Sequence, residues 1–299
     1  QAIAAVPTVL AVAAVGVNTF RHLKHWHAPR LQRPIVRITM IVPLYVISSW
    51  FSLVFPGASP FIQTVRDCYE AFAVWCFLTL ILEYCGGESG CLAKIEQQPP
   101  LKQPWPCCMF PRLLQDARYL RWCKRGVIQF VVVKPVMALV SLALLGVDKF
   151  DTPGWTATSL IVYNTSYTLA LYALLLFYMS TRSFLRSFHP IAKFTSFKLV
   201  IFAPYWQSLA VAVAPGLSEE DAAAWNNFLL VCGLVCVCLI HFCAFSFAEF
   251  AGGAHPRNDQ TTSVLSNMQT VLSMSDLISD TIHNFSSTHS SYVLQAPGD

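Results

Sequence analysis

Charge is scarce in this chain, and the scarcity excludes most soluble folds. Only 12% of the 299 residues are charged against 55% hydrophobic, whereas a soluble domain of this length carries roughly 25% charged residues. Recognisable catalytic spacing is missing as well. There is no H-E-x-x-H helix, no G-x-S-x-G elbow, no glycine-rich phosphate loop and no pair of membrane carboxylates, so no enzymatic constellation is expected. The eleven cysteines do not read as a disulfide framework, since under the topology below only Cys68 lies near the outer surface. Cys85, Cys91, Cys107, Cys108 and Cys123 fall in or beside one loop without a C-x-x-C pair or a histidine at ligand spacing. No metal or cofactor is expected there. A formal charge of +4 calls for no nucleic acid, because basic residues at a membrane's inner face answer to anionic headgroups.

What the chain does have is apolar length. Seven segments, 4–20, 35–55, 66–85, 126–147, 156–181, 191–213 and 226–251, mostly approach the ~20 residues that span ~30 Å of hydrocarbon. They predict an all-α polytopic membrane protein with seven transmembrane helices. The first, third and fifth gaps hold Arg21, Lys24, Arg30 and Arg33, then Lys94, Lys102, Arg112, Arg118, Arg121, Lys124 and Arg125, then Arg182, Arg186 and Lys193. The other gaps hold only Lys149, with Arg66 at the outer edge of the third segment. That asymmetry predicts an outside N-terminus and a cytoplasmic C-terminus. The first segment lacks a basic n-region and runs straight into Arg21 and Lys24, which suits a crossing better than a cleaved signal. Residues 1–255 are expected to form the membrane domain, with a cytoplasmic loop at 86–125, and 256–299 a cytoplasmic tail with an amphipathic helix.

The loop opens with Gly86-Gly87 and holds Pro99-Pro100, Pro104, Pro106 and Pro111, so most of it cannot be one helix. Residues 113–125 are basic with interleaved Leu, Tyr and Trp, a pattern for lying on the inner leaflet. Adjacent Cys107 and Cys108, among Trp105, Met109 and Phe110, are candidate S-acylation positions. In the tail, Val264, Leu265, Met268, Val271, Leu272, Ile278, Ile282 and Phe285 recur at mostly helical spacing with almost no basic charge, which favours docking on protein over a free membrane-surface helix. His22, His25 and His27 read as a solvated basic turn rather than a metal site.

Polar groups are costly in lipid and therefore carry information about function. Lys134 and Lys198 sit in the fourth and sixth segments, each ~10–12 Å from the cytoplasmic end at ~1.5 Å per residue. Two readings stand for them. Facing the bundle interior, they make a cationic site for a carboxylate or sulfate; facing lipid, they snorkel to the inner interface. Arg66 and Glu70 are spaced to pair on a helix. Asn164, Tyr167, Thr168 and Tyr172 form a polar stripe in the fifth segment, suited to interhelical hydrogen bonds or a solute path. Pro135 follows Lys134 directly and Pro204 precedes Tyr205, Trp206 and Gln207, and prolines beside such a cavity free backbone carbonyls.

A set of motifs in fixed order carries a resemblance. Arg66-Asp67-Cys68-Tyr69-Glu70-Ala71-Phe72, Leu82-Glu83-Tyr84 with Gly86-Gly87-Glu88, Val133-Lys134-Pro135, Tyr163-Asn164 with Leu169-Ala170-Leu171-Tyr172, and Phe197-Lys198 with Tyr205-Trp206-Gln207 run in sequence. Ser279-Asp280 and His283-Asn284-Phe285 follow in the tail. The chain resembles the transmembrane protein 184 family, related to the organic solute transporter alpha subunit. The resemblance implies seven helices with an outside N-terminus and a facilitative carrier or binder of amphipathic organic anions, such as bile-acid or steroid conjugates, or lipids. It also implies a single-span beta-type subunit or a homo-oligomer as partner, acylation at Cys107 and Cys108, and a plasma, endosomal or vacuolar membrane. Lys134, Lys198, Glu70, Asn164 and Tyr172 are the expected anion and polar contacts. Rival readings are a heptahelical receptor and a non-transporting scaffold or accessory subunit. The receptor reading is weakened because the third segment lacks a D-R-Y ending and the seventh lacks N-P-x-x-Y.

Overall fold

The structure, a computed structural model, describes residues 2–104, 107–147, 152–185, 190–212, 216, 218–251 and 263–285. Trp105, Lys149, Arg186 and the side chains of Tyr205 and His283 lie outside the described residues. In chain order the helices are α1 (Ala2–Lys24), α2 (Pro29–Thr39), α3 (Ile41–Val54), α4 (Ser59–Tyr84), α5 (Gly87–Ile95), α6 (Ala117–Gly146), α7 (Pro153–Thr181), α8 (Pro190–Ala212), α9 (Glu219–Ala244), α10 (Ala248–Ala251), α11 (Val264–Leu272) and α12 (Ser275–Phe285). Among the described residues no strand forms, and Leu101 and Leu113 pair only as an isolated bridge.

Local chemistry sets the boundaries. Pro29 and Pro153 open α2 and α7, where the missing N–H costs nothing. Asp116 accepts from the Tyr119 amide at 2.8 Å to cap α6, and Ser218 accepts from the Asp221 amide at 3.1 Å to cap α9. Between α4 and α5, Gly86 and Gly87 have φ of 95° and 78°. Only glycine adopts that region cheaply, and α5 leaves α4 at 70°. The basic stretch around 113–125, expected to lie flat on the leaflet, is instead mostly the first turns of α6. Once Asp116 caps the helix, nothing between Ala117 and Gly126 breaks it.

Among the described residues, five helices or helix pairs are long and apolar enough to cross a membrane, Ile3–Lys24, Pro29–Val54, Ala117–Gly146, Pro153–Thr181 and Asp221–Phe250, or six if the bent pair α4 and α5 makes one span. The α8 helix is a further long element of 23 residues that carries Lys193 and Lys198. The patterning of α1 is that of a membrane helix. Its buried face mixes Thr8, Asn18, Thr19 and His22 with Ala4, Ala11, Val15 and Leu23, while the large apolar Ile3, Val6, Val9, Leu10, Val17 and Phe20 point outward. Polar groups inside and apolar groups outside invert the order of a soluble helix.

The helices fall into two compact units. The first comprises 1–73 and 189–272. Within it α1 packs on α3 and α9, α8 packs on α9, and α11 rests on α1 and α2. Val271 of α11 joins Leu23, Trp26 and Val36 in one apolar cluster, with Met40, Val264 and Met268 against it. Asn267 donates to the Leu23 carbonyl at 3.0 Å and Arg37 Nε to the Val271 carbonyl at 2.8 Å. The second unit comprises 74–188 and 273–299, where α6 packs along α7, α5 touches α7, and α12 lies on α6. The tail therefore does dock on protein, but through three of the eight residues of its stripe. Val264, Met268 and Val271 pack inward, whereas Leu265, Leu272, Ile278, Ile282 and Phe285 stay exposed.

Candidate functional site

In the second unit the seam between α6 and α7 is built around a close approach. A Cβ added to Gly126 would meet the Ala173 Cβ at 2.7 Å, so only glycine lets the helices come this near. Beside it, Gln129 Nε2 donates to the Ser166 carbonyl at 2.8 Å and Ser166 Oγ donates to Gln129 Oε1 at 2.7 Å. Such reciprocal bonds fix the register of two helices in lipid. Next along α6, the rings of Phe130 and Tyr167 sit 5.6 Å apart. One turn further, Lys134 Nζ lies 4.9 Å from the Tyr163 ring centroid and 5.8 Å from that of Phe130. Aromatic faces offset part of the cost of holding an ammonium away from bulk water, by about 0.5–2 kcal/mol each. Lys134 is half-buried, so its charge is held by the seam yet accessible from one side.

The other expected site residues divide between the units. Tyr172, in the second unit, donates to Gln103 Oε1 at 2.9 Å and lies against Cys107. Gln103 in turn donates to the Pro111 carbonyl at 2.8 Å, which ties α7 to the loop that bears both candidate acylation positions. Cys108 is exposed and Cys107 half-buried. Asn164 is exposed and donates to the Leu160 carbonyl of its own helix at 2.7 Å, and Thr168 is exposed too. The stripe thus splits, with Tyr167 turned to α6 and Asn164 and Thr168 turned outward.

Lys198 and Glu70 belong to the first unit. Lys198 is exposed, with its ammonium 5.8 Å from the ring of Phe194 one turn earlier. Glu70 accepts from the Tyr45 hydroxyl at 3.1 Å. Arg66 stands over the Tyr45 ring at 5.2 Å and beside Asp67 at 3.7 Å, so Tyr45 joins the Arg66 and Glu70 expected as a pair.

Two polar clusters were not anticipated. In the first unit His22 is fully buried rather than solvated, because α1 runs unbroken to Lys24 and position 22 falls on its inner face. Asn18 Nδ2 and His22 Nε2 both donate to the Phe245 carbonyl, at 3.2 and 3.1 Å. Nearby, Ser196 and His241 share a hydrogen bond of 2.7 Å, and Lys193 pairs with Glu249 at 2.6 Å. In the second unit Lys124, 3% exposed, pairs with Glu88 and, at 2.5 Å, with Asp280 of α12. Trp75 Nε1 donates to the other Asp280 oxygen at 2.9 Å. Lys124 looked like one more basic residue of the loop, yet both partners stand in quoted motifs, Gly86-Gly87-Glu88 and Ser279-Asp280. Acidic residues beside a basic loop were the available signal. Among the described residues no group of three or more His, Cys, Asp or Glu is arranged to hold a metal.

Apolar helices of spanning length, an inverted α1 and polar centres buried between helices define an integral α-helical membrane protein. The profile of the family described as Organic solute transporter Ostalpha matches residues 1–250. The chain belongs to that family, an organic solute transporter-like group of membrane proteins rather than a family of enzymes. No solved structure matches it.

Proposed function

We propose that the protein carries or binds amphipathic organic anions, steroid or bile-acid conjugates or lipids among them, and that the α6–α7 seam supplies the anion contact. The observation that carries this reading is the ammonium of Lys134 held over Tyr163 and Phe130 within a span of a chain in this family. Aromatic faces suit a rigid apolar body, and the ammonium suits its sulfate or carboxylate. In this reading Tyr172 and Asn164 are secondary polar contacts in the second unit. In the first unit, Lys198 is the second anion contact and Glu70 a secondary polar group.

Seven crossings with an outside N-terminus follow from the basic gaps, with a plasma, endosomal or vacuolar membrane as the setting and a single-span beta-type subunit or a second copy as partner. Within the family, the motif set favours the transmembrane protein 184 branch. Acylation falls on Cys108 first, since it is the exposed member of the pair.

The exposure of Lys198 and Asn164 favours one second reading, an accessory subunit in which these groups meet headgroups or a neighbouring protein. A photoactivatable steroid sulfate separates the two. Labelled peptides from α6 and α7, suppressed by excess unlabelled sulfate and reduced in Lys134→Gln, support the carrier reading. Labelling that ignores both the competitor and the substitution defeats it.

A further inference from the structure

A second cationic surface lies on α1, far in sequence from the α6–α7 seam and confined to the first unit. The outward residues Ala13, Gly16, Val17, Phe20, Arg21 and Lys24 follow one another at helical spacing, and with His25 and Phe247 they line an open groove of about 760 Å³. That volume falls within the ~300–1,000 Å³ of typical small-ligand sites. Its upper wall is wholly apolar. Its lower end carries the cations Arg21 and Lys24, with the Arg21 guanidinium 5.1 Å over the Phe247 ring and the His25 ring packed 5.8 Å from the same ring. The His25 Nδ1 is held at 3.0 Å by the Arg21 carbonyl, which fixes the turn. No lining residue is acidic.

We infer that this groove binds one anionic phospholipid, its phosphodiester at Arg21 and Lys24 and an acyl chain along Val17, Gly16 and Ala13. Two features select a lipid over other occupants. The groove opens on the face of α1 that presents Val6, Val9, Leu10, Val17 and Phe20 outward, so its apolar half meets hydrocarbon. The cations cluster at the end of that same span, where headgroups lie. Gly16 adds a third point. A Cβ there would have nothing within 4 Å, so helix packing does not demand glycine. The space above it belongs to the groove. A glycine in mid-helix is less stable than alanine, and an acyl chain seated over it is a use for that space.

Native mass spectrometry of the full chain, with phosphatidylserine and phosphatidylcholine supplied together, tests this. The wild type retains phosphatidylserine in preference. Because each basic residue near a headgroup contributes ~1 kcal/mol, Arg21→Gln with Lys24→Gln lowers that retention about thirtyfold. Gly16→Leu, which fills the groove without touching its charges, lowers retention of phosphatidylserine while leaving the melting temperature at or above that of wild type. Phosphatidylserine retained as in wild type by either variant overturns the site. So does displacement of the lipid by inorganic phosphate alone, because the apolar wall would then contribute nothing. Co-purification of a single-span protein that Gly16→Leu releases, with lipid retention unaffected, assigns the groove to a partner helix and overturns the lipid assignment.

Discussion

Replacing Asp280 with alanine loosens α12 from α6, and the cost follows from the contacts. Asp280 Oδ2 accepts from Trp75 Nε1 at 2.9 Å and Oδ1 from Lys124 Nζ at 2.5 Å. A third bond, from Asn284 Nδ2 at 2.9 Å, lies within α12 and does not bear on docking. Hydrogen bonds to a charged group contribute ~1.5–3 kcal/mol each. The lower value applies, since the Asp280 side chain is 21% exposed. Two such bonds sum to ~3 kcal/mol, roughly a hundredfold in the equilibrium between docked and undocked α12. Lys124→Met is at least as damaging, because Glu88 and Asp280 lose the buried cation they share and a half-buried like-charge pair remains. Amide hydrogen exchange across α12 reads the effect directly. Exchange about a hundredfold faster is expected for Asp280→Ala, with Ser279→Ala, an exposed neighbour, unchanged. A change below threefold for Asp280→Ala would refute the clamp.

Gly126→Val forces a side chain into the Ala173 Cβ and destabilises the α6–α7 seam by about 1–3 kcal/mol; a lowered melting temperature, partly restored by Ala173→Gly, checks it. Arg37→Met removes the donor to the Val271 carbonyl, so α11 amides exchange about tenfold faster for a loss of ~1.5 kcal/mol, while α12 amides are unaffected. Cys108→Ser abolishes most acyl-exchange labelling and Cys107→Ser removes the smaller remainder; equal labelling in the double variant and the wild type would place acylation elsewhere.

Much of the architecture was legible because lipid makes one demand loudly. Long apolar runs became α1, α6, α7 and α9, and the prolines and glycines of 86–111 kept that loop from forming one helix. Less visible were the features that need a partner from far along the chain. Lys124 meets Asp280 across 156 residues, and no local pattern distinguishes it from Arg121 or Arg125. His22 stood in a histidine-rich turn by composition, and only the register of α1 turns it inward beside Asn18. The tail stripe marked which residues were apolar but not which of them would pack, since that depends on Arg37, Asn267 and Asp280 finding their partners. For the site, the sequence placed Lys134 inside a span; of the two rings that hold it, Phe130 lies one turn earlier on α6, but Tyr163 comes from α7, a different helix.

Uptake of a radiolabelled steroid sulfate into proteoliposomes of the full chain tests the central claim most directly. The account predicts saturable uptake above protein-free vesicles, reduced at least tenfold in Lys134→Gln and largely restored in Lys134→Arg, with melting temperatures unchanged. Saturable uptake that is equal in wild type and Lys134→Gln would contradict the assigned site, and no uptake above protein-free vesicles would contradict the carrier itself.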